Sequence, residues 1–308
     1  LNKQFYSNGK LLLTAEYFVT QGSLALAIPT KFGQSLNVNE QPFNESELWW
    51  KSRANDSSIW YSGTWNLPEI KNMGLEDSIT KKLNQVLLYA KSKNPNFLAE
   101  NKRYEVETTL GFNRSWGLGS SSTLINNIAQ WAEIDAFDLQ FNCFGGSGYD
   151  IACAQNENPI WYQLNSKKPW YEQVNYNPPF ARQLYFIYLN KKQKTEEALK
   201  QLGDLKIAPN AIDAMSDLTK SFTFQYNLVD FEKLLFEHEK LVSKTLGLNM
   251  VKPKYFNDFW GEIKSLGAWG GDFVLATSNR DEVTTKKYFE ELGYNTIINF
   301  NQMIKSGV

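Results

Sequence analysis

The sequence predicts an α+β chain built in two parts, and three observations carry that expectation. The first residues read as strand, turn, strand. Helical stripes then alternate with further strands up to about residue 155. Beyond that point the order changes to two strands, a run of helices and short closing strands. A chain of 308 residues that is 42% hydrophobic and 15% aromatic has enough apolar surface for two cores. The expected division is 1–165 and 166–308, with turn formers in "NSKKPWYEQVNYNPPF" marking a soft boundary.

Taken in order, "KQFYSNGKLLLTAEYFVTQGSLALAIPT" reads as three antiparallel strands with turns at Asn8 and Gly9 and at Gln21 and Gly22. "ELWWKSRANDSSIWYSGTW" adds strands between Leu48 and Trp65. Ile79, Leu83, Val86, Leu87 and Ala90 recur at helical intervals and place a helix over roughly 77–92, and "KRYEVETTLGF" alternates as a strand. Leu124, Ile128, Trp131 and Ile134 form the stripe of a helix starting near Ser121. In the second part "PIWYQL" and "RQLYFIYLN" are strands, with helices near 195–203, 208–222, 229–246 and 254–265. "GGDFVLATS" is a strand, "RDEVTTKKYFEELG" a helix and "YNTIINF" the last strand. No internal repeat or low-complexity tract interrupts this order.

A net charge of -1 from 32 basic and 33 acidic residues, without a single-sign block, gives no electrostatic basis for nucleic-acid or anionic-membrane binding. No apolar run approaches the ~20 residues of a membrane span. The opening "LNKQFYSNGKLLL" lacks the order of a secretory signal, so the expected location is cytoplasmic. Two cysteines, Cys143 and Cys153, and one histidine, His238, are too few for a zinc site, a Cys/His dyad or a Ser/His/Asp triad. Chemistry here must draw on carboxylates, lysine, serine, backbone amides and a hard cation. His238 lies in "FEKLLFEHEKLV", where an exposed place on a charged amphipathic helix is expected.

The segment "RSWGLGSSSTLINNIAQW" opens a helix on glycines and serines. The first amides of a helix lack internal partners and carry partial positive charge. Gly117 and Gly119 allow close backbone approach, and hydroxyls add donors, a combination suited to phosphate. The plainer reading is a serine cap after a glycine turn. Two further segments add weight to the phosphate reading. "NGKLLLTAEYFVTQG" carries Lys10, with Glu16 six residues on, and "GGSGYDIACAQ" sets Asp150 behind three glycines. Together they supply an anion cradle, a cation for developing charge and a carboxylate for a hydroxyl proton.

With "NGKLLLTAEYFVTQG", "WGLGSSS" and "SLGAWGGDFVLA" in that order, the chain resembles the GHMP kinase superfamily over essentially its whole length, and "GSGYDIA" looks like the signature of the bacterial GYDIA-type subgroup. The resemblance implies an N-terminal domain like domain 2 of ribosomal protein S5 and a C-terminal ferredoxin-like α/β sandwich. ATP and Mg2+ are the implied cofactors. The implied phosphate loop is Trp116, Gly117, Leu118, Gly119, Ser120, Ser121 and Ser122, with Ser121 the implied magnesium ligand. Asp150 is the implied base or positioning group and Lys10 its cationic partner. Glu16, Tyr17 and Gly148 fall at the implied substrate end. Lys194 and Thr195, with Lys191 and Lys192 beside them, are candidates for an anionic substrate, and Arg114 for nucleotide or substrate.

The chain also departs from the family pattern. Ala15 stands where a glycine is usual, Asn113 where a proline is common, and Leu139 where mevalonate kinase has a glutamate metal ligand. Asp135 and Asp138 are the nearby carboxylates. The third motif carries Trp269 and Asp272 among its glycines. Tyr17 favours phosphomevalonate kinase, while length and the first motif fit mevalonate kinase equally. The implied partner is a small mevalonate-type hydroxy acid, with no nucleic acid and no membrane, and the superfamily admits a homodimer. The alternatives are a diphosphomevalonate decarboxylase of the same fold and a nucleotide-binding homologue without turnover.

Overall fold

The computed structural model describes residues 1–67, 69–74, 77–191, 206–267 and 272–305. These form two compact units, each discontinuous in sequence. One comprises Leu1–Gly9, Phe32–Arg114 and Gly119–Gln155; the other comprises Lys10–Lys31, Ser115–Leu118 and the described residues from Asn156 on. Two strands, β1 (Asn2–Leu12) and β2 (Ala25–Pro42), run through both units.

In the first unit the strand order is β5 (Lys71–Asn72), β4 (Ile59–Asn66), β3 (Glu47–Arg53), β6 (Lys102–Leu110), β2. β3 is parallel to β6 and the other pairs in that order are antiparallel, so the sheet is mixed. Tyr104, Val106, Thr108 and Leu110 point inward from β6, as a two-residue period requires of a half-buried strand. Helix α1 (Ser78–Lys93) is capped by Asp77, which accepts from Thr80 N–H, and buries Leu83, Val86, Leu87 and Ala90. With α2 (Ser120–Ala132) and α3 (Ala136–Cys143) it covers a core containing Trp50, Trp65, Ile128 and Leu139.

In the second unit Ala25–Ala27 of β2 pair with β7 (Ile160–Asn165), which forms a hairpin with β8 (Lys168–Gln173). A separate antiparallel sheet has the order β10 (Ile263–Ser265), β11 (Phe273–Thr277), β9 (Leu184–Tyr188), β12 (Ile297–Asn299). β9 and β11 are buried throughout, which explains their unbroken apolar sequences. The unit's main helices are α5 (Pro209–Thr223), α6 (Leu228–Leu246) and α8 (Glu282–Glu291), with a short α7 (Val251–Tyr255) before β10. The chain is thus α+β. Among the described residues no helix is long and apolar enough to cross a membrane.

Three sequence expectations change. The turn at Asn8 and Gly9 is absent, and β1 passes straight through it. Gly33 makes room for this strand, since a Cβ there would overlap Ser7 O and the Tyr6 hydroxyl. The helix expected over 254–265 is instead α7 followed by β10. Gly261 lies so close to Thr277 O that any Cβ would collide with it, and Ile263–Ser265 pair with β11. The stretch marked as turn-rich contains β8, reached through Ser166 and Lys167, both at positive φ (50° and 66°). The helix expected at 195–203 lies outside the described residues.

Candidate active site

Helix α2 begins at Ser120, and its cap is Gly119, at φ 89°, with no side-chain hydrogen bond to the first turn. The plain serine-cap reading therefore fails. Ser122 is buried and its hydroxyl donates to Gly119 O (2.9 Å), while Thr123 Oγ1 donates to Gln34 Oε1 (2.7 Å). Ser121 is exposed and Ser120 half-buried. No cap side chain completes that end, and helix polarity favours an anion there. Just before it, in the second unit, Gly117 holds φ 67°, and Lys10 N–H donates to Leu118 O (3.0 Å), fixing the loop to the strand that carries Lys10. Trp116 packs edge-on against Phe273, with ring centroids 5.8 Å apart.

Asp150 lies in the first turn of α4 (Tyr149–Gln155), entered through Gly148 at φ 84°. It is half-buried, and its Oδ1 accepts from Ile151 N–H (3.1 Å). Within the first unit a buried polar network ties α4 to α2. Asn126 Nδ2 donates to Ser7 Oγ (2.8 Å) and Asn126 Oδ1 accepts from Gln155 Nε2 (3.0 Å). Ser7 Oγ donates to Asn127 Oδ1 (2.7 Å), and Asn127 Nδ2 donates to Gln34 O (2.9 Å). Asn126 therefore links the serine helix, the Asp150 helix and strand β1. Asn126→Leu, which strands Ser7 and Gln155, is expected to cost about 1–3 kcal/mol, measurable by urea denaturation; an unchanged midpoint would mean that the network carries no net stability.

Glu16 and Tyr17, expected at the substrate end, are interior residues of the second unit, 2% and 9% exposed. Lys264 Nζ donates to Glu16 Oε1 and to Ser265 O (2.7 Å). His238, expected on an exposed face, is fully buried, and its Nε2 accepts from Ala15 N–H (3.0 Å). The reason is spacing: His238 and Glu239 share the inward stripe of α6 with Phe231, Leu235 and Val242. Burial, reinforced by Lys264, holds the His238 pKa down at about 4, so the ring is neutral. Glu239 Oε1 accepts from Ser265 N–H (3.1 Å), and burial pushes its pKa up to about 8. Despite burial, which works the other way, the charge of Lys264 holds Glu16 below the ordinary carboxylate range. At neutral pH the cluster is one ion pair, a neutral imidazole and a neutral acid, with no net charge.

The pH dependence follows. Glu239 binds a proton on folding between its ordinary pKa of 4.5 and about 8, so its contribution to stability is full below that window and is lost as pH rises. His238 works oppositely between about 4 and 6.5. Above 6.5 only the Glu239 effect remains, with a slope of about 1.4 kcal/mol per pH unit at most. Melting temperature is expected to fall from pH 6.5 to 8, and Glu239→Gln to flatten that fall; parallel curves for the two chains would show Glu239 to be ionised in the fold.

Ala15 and Tyr17 both adopt positive φ (65° and 66°), a conformation that favours glycine. The Arg114 guanidinium stacks 3.7 Å from the Trp60 ring centroid, and Lys191 Nζ lies 5.9 Å from that of Tyr255. Lys192, Lys194, Thr195 and Trp269 lie outside the described residues. Among the described residues no group of three or more His, Cys, Asp or Glu side chains could hold a metal.

No protein-family model matches the sequence, and no curated protein is significantly similar to it. In fold the chain is similar to the mevalonate kinase of Methanococcus jannaschii (TM-score 0.70, 17% identity, 97% of this chain and 98% of that one). It is also similar to Lactococcus lactis galactokinase complexed with galactose (0.70, 16%, 99% and 94%). A third similar structure is Streptococcus pneumoniae phosphomevalonate kinase in complex with phosphomevalonate and AMPPNP (0.70, 15%, 96% and 99%). At these identities the likeness is one of fold.

Proposed function

We propose that the chain is an ATP-dependent kinase of a small hydroxylated acid of the mevalonate or phosphomevalonate type. The observation that carries this reading is the start of α2: a glycine-capped helix end without a side-chain cap, preceded by a left-handed glycine in a loop hydrogen-bonded to the backbone of Lys10. Such an end takes the nucleotide's phosphates. The acceptor oxygen attacks the terminal phosphorus, the bond to the bridging oxygen breaks, ADP leaves, and the hydroxyl proton passes to Asp150 or to water that Asp150 orients. Lys10 offsets charge that develops during transfer. Ser121 would hold Mg2+, which would neutralise phosphate charge when bound. Glu16 acts from the interior, through its ion pair with Lys264.

Incubation with Mg-ATP and a panel of mevalonate, its two phosphorylated derivatives, homoserine and galactose tests the proposal. ADP release with one mevalonate-type acid is expected. Carbon dioxide release would assign the decarboxylase reading, and ADP release with none would remove the kinase. One observation favours a nucleotide-binding chain without turnover: the Asp272 carboxylate lies against Gly117 of the phosphate loop.

A further inference from the structure

We propose that a groove at one end of the second unit's separate sheet binds the phosphate group of a small molecule, through Arg182, Arg280 and the Tyr185 hydroxyl. The inference does not depend on the kinase reading. The groove, of about 560 Å³, opens beside the start of β9, the entry to α8 and the end of β12, and every residue that lines it belongs to the second unit. It is separate from the Gly117 loop. Trp116 of that loop meets Phe273 at one end of β11, whereas Thr277, about 14 Å along the strand, pairs with Leu184 at the other.

The fold holds Arg280 in place. Its guanidinium lies over the Trp260 ring, 3.9 Å from the centroid. Trp260 is fixed in turn, because its indole N–H donates to Ser278 Oγ (2.9 Å), and Arg280 N–H donates to the same oxygen (3.1 Å). A stacked guanidinium keeps its edge donors for an oxyanion. Arg182 lines the same groove from the turn before β9. Both arginines are exposed, and neither guanidinium makes an ion pair or a hydrogen bond among the described residues. The acids of the groove are already engaged: Asp281 accepts from the N–H (2.9 Å) and the hydroxyl (2.6 Å) of Thr284 as the cap of α8, and Glu282 pairs with Lys286 (2.6 Å). With Lys286 counted, three cationic side chains stand against two anionic ones, so the groove keeps a positive balance.

Tyr185 adds what a solvated pair of arginines lacks. Only 2% of it is exposed, yet it lines the groove, and its hydroxyl makes no hydrogen bond among the described residues. A buried polar group is normally satisfied, so a partner inside the groove is expected. Burial, with Glu282 and Asp281 nearby, pushes the Tyr185 pKa up, and at neutral pH the hydroxyl therefore offers a proton. Guanidinium forks and a phenol are all donors, which suits phosphate oxygens, all acceptors.

The test is thermal denaturation of the intact chain in inorganic phosphate against chloride at matched ionic strength, for the wild type, Arg182→Gln, Arg280→Gln and Tyr185→Phe, with a phosphate titration giving each apparent Kd. Phosphate is expected to raise the wild-type melting temperature. Each arginine substitution is expected to weaken the apparent affinity at least about tenfold, as loss of a charge-assisted bond does, and Tyr185→Phe about threefold. Circular dichroism checks folding, and the two exposed arginines keep the test decisive should Tyr185→Phe fail to fold. A wild type that responds to phosphate no more than to chloride overturns the inference. So does any folded variant of the three that binds phosphate as tightly as the wild type, which would put the anion elsewhere.

Discussion

Asp150→Asn is expected to lower turnover at least about 100-fold while nucleotide affinity stays within a few-fold. The substitution is nearly isosteric, and its amide oxygen retains the hydrogen bond that Asp150 Oδ1 accepts from Ile151 N–H in the first turn of α4. The tie between α4 and α2 runs through Gln155 and Asn126 and is untouched. What disappears is a negative charge and a proton acceptor, so the loss belongs in kcat and not in folding. Steady-state kinetics on the substrate identified by the panel, with AMPPNP binding beside them, make the measurement. Unchanged turnover would remove Asp150 from the chemistry, and a lowered melting point would make it a structural residue.

Lys264→Met is expected to destabilise the chain by about 3–5 kcal/mol, because it leaves Glu16 as a buried charge without its cation. Lys264 is fully enclosed in β10, and Glu16 is 2% exposed. The pair persists because its geometry is good and a carbonyl, Ser265 O, takes a further lysine proton. Removing both charges together, as Glu16→Gln with Lys264→Met, should recover a large part of the loss, since the desolvation of both ions is then relieved. Urea denaturation of the two singles and the double completes the cycle. Equal losses in the single Lys264→Met and the double would show that packing, not charge, is what Lys264 contributes.

The two expectations draw on different kinds of legibility. The helix that opens at Ser120 was readable because glycines, serines and an apolar stripe mark its start in consecutive positions, and consecutive residues are what a sequence displays. The long helices were readable for the same reason: Leu83, Val86, Leu87 and Ala90 mark their own face. The Glu16, His238, Glu239 and Lys264 cluster was harder, since its members are up to 248 residues apart. Its one local signal is that His238 and Glu239 fall on the Phe231, Leu235 and Val242 stripe, where a polar residue needs an interior partner. Asn126 and Asn127 carry the same signal, two amides on a buried helix face. Turns misled where tertiary contact overrode local preference: Asn8 and Gly9 are interior to β1 because Gly33 admits the strand.

The glycine cap of α2 has a thermodynamic consequence under the proposed function. A helix finished by its own side chain is complete in the empty protein, whereas under that proposal this one is completed by the anion that docks there. Occupancy is then linked to the folding equilibrium, since a molecule that binds only the folded form holds it against unfolding in proportion to the logarithm of its concentration. Cognate compounds can thus be ranked by the heat resistance they confer, before any reaction has been observed.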